Sequence, residues 1–107
     1  MSPDLSSLGR FAEPSLLILS SLAGGPKHGY AITKDVEDLG GPTLGPGTLY
    51  AALARLEQLG LIEALEAEAR RRPYRLTGVG AESLRAELLR RQRLFQVGLQ
   101  RLGAACT

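Results

Sequence analysis

The segment GPGTLYAALARLEQLG, residues 45–60, constrains the fold more than any other part of this 107-residue chain. Leu49, Ala52, Leu53, Leu56 and Leu59 recur at helical spacing and form one apolar stripe. Pro46 suits the first position of a helix, where the missing amide hydrogen costs nothing, and Gly60 suits the left-handed residue that closes one. The spacing therefore predicts a helix from Pro46 to just before Gly60, with one face that must be buried. Directly after it, residues 62–66 alternate apolar and acidic side chains, and RPYRLT, residues 72–77, alternates again. Period-two alternation predicts two short strands joined near Arg70–Arg72, so that the helix runs into a charged hairpin.

The flanking segments complete the order. EPSLLILSSLAGG, residues 13–25, has a proline tolerated in a first helical turn and a glycine pair as a stop, and its apolar residues surround the axis, as in a helix central to a core. KHGYAITKDVEDLGG, residues 27–41, carries Ile32, Val36 and Leu39 as a buried stripe, with His28 in the capping region at the helix start and Gly40, Gly41 and Pro42 as breakers. Beyond Gly78 and Gly80, a stretch of about 22 residues, Ala81 to Leu102, is rich in the helix formers Leu, Arg, Glu and Gln. Helix, helix, helix, hairpin, helix predicts a mostly α (α+β) fold. One domain with one core is what this length allows. Residues 1–12 read as a leader, 13–77 as the hairpin-bearing unit and 78–107 as a long terminal helix with its tail.

Charge divides the chain unevenly. Before Arg70 there are 4 basic residues against 9 acidic ones; from Arg70 onward there are 9 arginines against Glu82 and Glu87. A basic second half implies a polyanion or an acidic protein surface as partner. The longest apolar run, Leu16–Leu19, is far too short to cross a bilayer, and the beginning of the chain has no secretory signal pattern, so a cytoplasmic location is expected. A lone cysteine, Cys106, excludes an intrachain disulfide.

Enzymatic readings fail on residue type. LGPGTLY has neither the lysine of a P-loop nor a preceding buried strand, so its glycines start a helix rather than cradle a phosphate. A metal centre needs clustered ligands, whereas the chain has one histidine and one cysteine far apart. No serine stands in a nucleophile's setting. No cofactor and no catalytic residue is therefore expected. What remains is Arg70, Arg71, Arg72 and Arg75 beside Tyr74. Guanidinium groups present paired donors in a plane and suit phosphate oxygens, while the plainer reading is a solvated loop balancing the acidic strand. The element order favours the first, because a helix, a glycine-broken turn, a second amphipathic helix and a basic hairpin are the parts of a winged helix-turn-helix.

LLILSSLAGGPKHGYAI, GTLYAALARLEQLGLIE and RRPYRLTGVGAESL resemble, in that order, the signature blocks of the PadR family of bacterial transcriptional regulators. The likeness spans roughly Glu13 to Leu84 and includes HGY at His28–Tyr30, TLY at Thr48–Tyr50, RLEQLGLI at Arg55–Ile62 and YRLT at Tyr74–Thr77. It implies a homodimeric DNA-binding repressor of the short subclass, in which the single helix after YRLT pairs with its copy. A small-molecule effector of unspecified identity is a further implied partner. Two departures stand out: Ala51 occupies the position after TLY where the family commonly has proline, and no glycine run precedes the hairpin arginines.

Under this reading Leu49, Leu53 and Leu56 face the core, so Thr48, Ala51 and Arg55 face the major groove with Tyr50 at the edge. Arg70, Arg71, Arg72 and Tyr74 on the wing, with Lys34, meet the DNA backbone. The last helix carries Leu84, Leu88, Phe95, Leu99 and Leu102 near heptad spacing, apolar residues that a monomer would expose. A two-fold dimer on a pseudo-palindromic operator, with half-sites about 34 Å apart, is the expectation. The competing expectation is a winged-helix module that binds an acidic protein partner.

Overall fold

The computed structural model describes residues 12–105. Residues 1–11 of the expected leader 1–12, and Cys106, lie outside the described residues, and Ala12 already belongs to the first helix. Four helices and a small sheet follow one another as α1 (Ala12–Leu22), β1 (Lys27–His28), α2 (Gly29–Asp38), α3 (Pro46–Gln58), β2 (Ile62–Ala64), β3 (Pro73–Leu76) and α4 (Gly78–Ala105). The fold is mostly helical, a winged helix followed by a long C-terminal helix.

Helix α1 is central, as its encircling apolar residues require: Leu16, Ile18, Leu19 and Leu22 are all buried. Ile32 and Val36 of α2 and Leu49, Ala52, Leu53 and Leu56 of α3 close on it, and Leu61, Ile62 and Leu84 complete the core. Leu39, expected as the third member of the α2 stripe, is instead 53% exposed. It is the C-cap, where φ −78° and ψ 2° have already left the helix. The side chain consequently leaves the buried face.

Both helices of the helix-turn-helix end in the same way. After α3, Gly60 has φ +76°; its N–H donates to the Glu57 carbonyl and the next N–H, of Leu61, donates to the Leu56 carbonyl, both at 3.0 Å. After α2, Gly40 has φ +87°, and Gly40 and Gly41 repeat the pair of bonds to Glu37 and Val36. This glycine-closed ending satisfies carbonyls that a helix end leaves orphaned. At its start, α3 has Gly45 as N-cap and Pro46 within. Leu44 and Leu49, the residues before the cap and in the fourth helical position, are both buried. They sit where a hydrophobic staple holds the angle of chain entry.

The sheet is antiparallel in the order β1-β3-β2. Ile62 pairs with Leu76, Glu63 with Arg75 and Ala64 with Tyr74, while Lys27 and His28 pair with Tyr74 and Pro73. Strand β1 has only two residues, too few for a periodic signal, and the sequence pattern missed it. Beyond Ala64 the hairpin narrows to a bridge between Glu68 and Arg71 around Ala69, whose φ of 57° makes the tip turn. The expected strand to Glu66 thus stops earlier, at Ala64.

Helix α4 begins three residues before the expected Ala81 and ends after Leu102, giving 28 residues. Gly78 and Gly80 are inside it. Gly80 is there because nothing larger fits: a β-carbon would stand 2.0 Å from the Leu61 carbonyl oxygen. Thr77 caps this start, its Oγ1 accepting from the Gly80 N–H at 3.0 Å and donating to the Gly60 carbonyl at 2.7 Å.

Candidate nucleic-acid interface

The stripe that buries Leu49, Ala52, Leu53 and Leu56 turns the opposite side of α3 outward. Thr48, Ala51, Ala54, Arg55 and Gln58 are exposed there, as is Tyr50 at its edge. Small side chains dominate, so the helix backbone can approach a groove closely while offering few hydrogen-bonding groups of its own.

Beside α3 the wing meets the start of α2. His28, Gly29 and Tyr30 from the β1–α2 junction, Tyr50 from α3, and Arg70, Arg71, Arg72 and Tyr74 from the hairpin line a cleft of about 230 Å³. Gly29 makes this approach possible, since a β-carbon there would lie 2.7 Å from the Tyr50 hydroxyl oxygen. His28 is the N-cap of α2, its Nδ1 facing the Ala31 N–H at 3.4 Å. From the other side Arg71 Nη1 stands 3.3 Å from His28 Nε2. Arg72 Nη1 donates to the Leu65 carbonyl at 2.9 Å, which draws that arginine along the hairpin.

Tyr74, expected among the DNA-binding residues of the wing, is half-buried. It packs partly against the core as well as lining the cleft. Burial first, then the negative charges of the Glu57 carboxylate and of an ionised Tyr50, raises its phenol above the ordinary value, with the Arg72 charge opposing. The shift favours the protonated hydroxyl of a residue that lines the cleft. Arg75, grouped in the sequence with the tip arginines, belongs elsewhere: it donates to Glu63 at 2.8 Å across the β2–β3 ladder. Alternation puts Arg75 on the face opposite Tyr74 and Leu76. Lys34 is exposed on α2 one turn beyond Tyr30, outside the cleft.

The structure thus gathers Tyr50, Arg70, Arg71, Arg72 and Tyr74 in one cleft, places Thr48, Ala51 and Arg55 on the neighbouring helix face, and leaves Lys34 apart. Residues 18–86 match the profile of the transcriptional regulator PadR-like family.

The chain belongs to the PadR-like family.

A PadR family transcription regulator from Clostridium difficile R20291 is 30% identical, with a TM-score of 0.73 over 82% of this chain and 96% of that one. An uncharacterized 37.1 kDa protein in transposon Tn4556 of Streptomyces fradiae is 49% identical over 78 residues, 73% of this chain and 23% of that protein. The transcriptional activator GvpE2 of Halobacterium salinarum is 33% identical over 100 residues, 92% of this chain and 51% of that protein. The chain therefore spans about half or less of these two curated relatives.

For a PadR-like chain the site residues missed by sequence reasoning are His28, Gly29 and Tyr30. Their signal was present as HGY at a helix start. In the sequence it reads as a capping region and a family motif, because only the fold shows the wing arriving on the far side of His28.

The long helix of this PadR-like chain divides in two. Leu84, expected in a dimer contact, is 4% exposed and packs in the chain's own core. Gly80 and Thr77 press the start of α4 against the α3–β2 joint. Leu88, Phe95, Leu99 and Leu102 do lie exposed, Phe95 at 60% and Leu99 at 70%. Leu89 and Leu94, absent from the heptad reading, are exposed as well. An apolar groove of about 440 Å³ runs between α1, Leu39 and α4, with Leu17, Leu88 and Phe95 among its walls. Within α4, Glu87 accepts from Arg90 and, at 3.1 Å, from Arg91 Nε. Among the described residues no cluster of metal-binding side chains occurs and no helix is long and apolar enough to cross a membrane.

Proposed function

We propose that the protein is a homodimeric, cytoplasmic DNA-binding repressor that reads a pseudo-palindromic operator. The observation that carries this is the shared surface of α3 and the wing. A helix face without large apolar side chains adjoins a cleft lined by Arg70, Arg71 and Arg72. In a winged helix such a helix enters the major groove while the hairpin lies along the neighbouring backbone. Thr48, Tyr50, Ala51 and Arg55 are the base-facing residues; Arg70, Arg71, Arg72, Tyr74 and Lys34 serve the backbone. Because α3 offers few donors, most of the affinity comes from phosphate contacts, and sequence preference relies in part on DNA shape.

Dimerisation follows from α4. At about 1.5 Å per residue it is roughly 42 Å long, and beyond Leu84 its apolar side chains need a partner. A second copy covers Leu88, Phe95, Leu99 and Leu102 and holds two α3 helices at operator spacing. Repression is the sense implied by the PadR resemblance, with release by a small-molecule effector. A reporter under the operator gives the sign directly, a point of interest because the relative GvpE2 is named an activator.

Selection of bound sequences from random duplexes at physiological salt tests the proposal. Enrichment of an inverted repeat supports it. A protein that retains no duplex even at low salt, and instead binds an acidic protein partner, is the interaction module that the bare face of α3 would also suit.

A further inference from the structure

A neutral imidazole has one nitrogen that accepts a hydrogen bond and one that donates, and an imidazolium has two donors. His28 is approached by an N–H on each side: the Ala31 amide at Nδ1, 3.4 Å away, and the Arg71 guanidinium at Nε2, 3.3 Å away. A guanidinium only donates. At most one of these two approaches is a hydrogen bond. Capping of α2 uses Nδ1 as the acceptor, which puts the imidazole hydrogen on Nε2, directly facing Arg71. Two donors then point into the same space, and what satisfies both is an anionic oxygen.

The surroundings have the same polarity. Arg70, Arg71 and Arg72, the hydroxyl-bearing Tyr30 and Tyr50, and the start of α2 surround the cleft, and its lining includes no carboxylate. The first turn of a helix of 10 residues adds free amide donors and positive partial charge. We propose that this cleft seats one phosphate of the DNA backbone, which accepts from the His28 Nε2–H and the Arg71 guanidinium together. His28 thereby becomes a DNA-contacting residue and the wing is locked to α2 when DNA is bound. This rests on the DNA-binding reading above and adds to it a residue, an atom and a ligand group.

The chain has one histidine, so its imidazole signals in a 15N-labelled protein are unambiguous. The probes are the selected operator duplex and, separately, inorganic phosphate. The expected result is a shift of the His28 Nε2 signal with operator, saturating at one duplex per dimer, and only a weak response to inorganic phosphate at millimolar concentration. His28→Asn keeps a good N-cap residue and removes the Nε2 donor. It should melt like the parent protein yet bind the operator several-fold more weakly, with the slope of log affinity against log salt nearly unchanged because a neutral donor displaces no counterion. Arg71→Gln, which leaves the cap untouched, should weaken binding and lower that slope by about 0.9 per protomer, and the two changes together should cost less affinity than their sum. A His28 signal that ignores an operator the protein does bind, or a His28→Asn protein with the parent affinity, overturns the assignment while leaving DNA binding intact. Saturation by inorganic phosphate with no response to operator overturns it in favour of a free-anion site. Failure of the parent protein to retain any duplex removes the DNA reading itself.

Discussion

Gly80 lies so close to Leu61 that a β-carbon on it would stand 2.0 Å from the Leu61 carbonyl oxygen. The first turn of α4 therefore rests directly on the joint between α3 and β2, and the helix proposed to dimerise is fixed to the helix proposed to read DNA. Replacing a helical glycine with alanine ordinarily stabilises by about 1 kcal/mol. Gly80→Ala should do the opposite, destabilising by roughly 2–3 kcal/mol as the helix is pushed off its seat. Denaturant unfolding of the variant measures it. Gly98, where an added β-carbon meets nothing, is the control and should stabilise or leave the protein unchanged.

Thr77 bridges the same joint, donating to the Gly60 carbonyl and accepting from the Gly80 N–H. Thr77→Val keeps the shape and removes both bonds, for a loss of about 1–3 kcal/mol. Thr77→Ser should restore most of it. Thermal melts of the three proteins give the order threonine, serine, valine.

Leu84 and Leu99 are on the same helix with opposite surroundings, 4% and 70% exposed. Leu84→Ala should cost about 2–5 kcal/mol of folding stability by leaving a cavity in the protomer core. Leu99→Glu should instead yield a folded monomer, seen as a halved mass in light scattering with helical circular dichroism retained. A Leu99→Glu protein that stays dimeric would place the interface elsewhere.

The wing arginines should not be equivalent. Arg72 is drawn to the Leu65 carbonyl and Arg71 faces His28. Removing one cation from a DNA phosphate lowers the salt slope by about 0.9, so Arg70→Ala and Arg71→Ala should flatten it most. Arg72→Ala should also loosen the hairpin. If neutralising Arg71 and Arg72 together left affinity and slope unchanged, the wing would have no part in DNA binding.

Glu87 accepts hydrogen bonds from Arg90 first and Arg91 second, which holds its carboxyl below the usual range despite opposing burial. Its folded-state value is depressed, so the stability it contributes is complete above the unfolded value of about 4.3 and is lost as pH falls through the folded one. Glu87→Gln should therefore melt below the parent protein at pH 7, with the gap closing as the solution is acidified past the carboxylate range. Equal gaps at pH 7 and at acid pH would show that the ion pairs contribute nothing.

Much of this molecule is legible in its sequence. The Pro46 and Gly60 boundaries of α3, the stripe from Leu49 to Leu56 and the hairpin with arginines at its tip follow from local rules, because capping, periodicity and turn chemistry act within a few residues of sequence. His28 is legible as a helix cap for the same reason.

Other features depend on which segments meet. Gly80 reads as a helix breaker until Leu61 is found against it, and Leu84 reads as an interface residue until the start of α4 is seen docked on the core. Arg75 groups with Arg70, Arg71 and Arg72 by proximity in sequence, but the register pairs it with Glu63. His28 and Arg71 are 43 residues apart, and no periodicity joins them. The sequence by itself determined the four helices, the hairpin, their order and the chemistry they carry. Only the tertiary structure decided which of those groups share a cleft, because close packing and strand register are set by contacts between segments that local sequence does not encode.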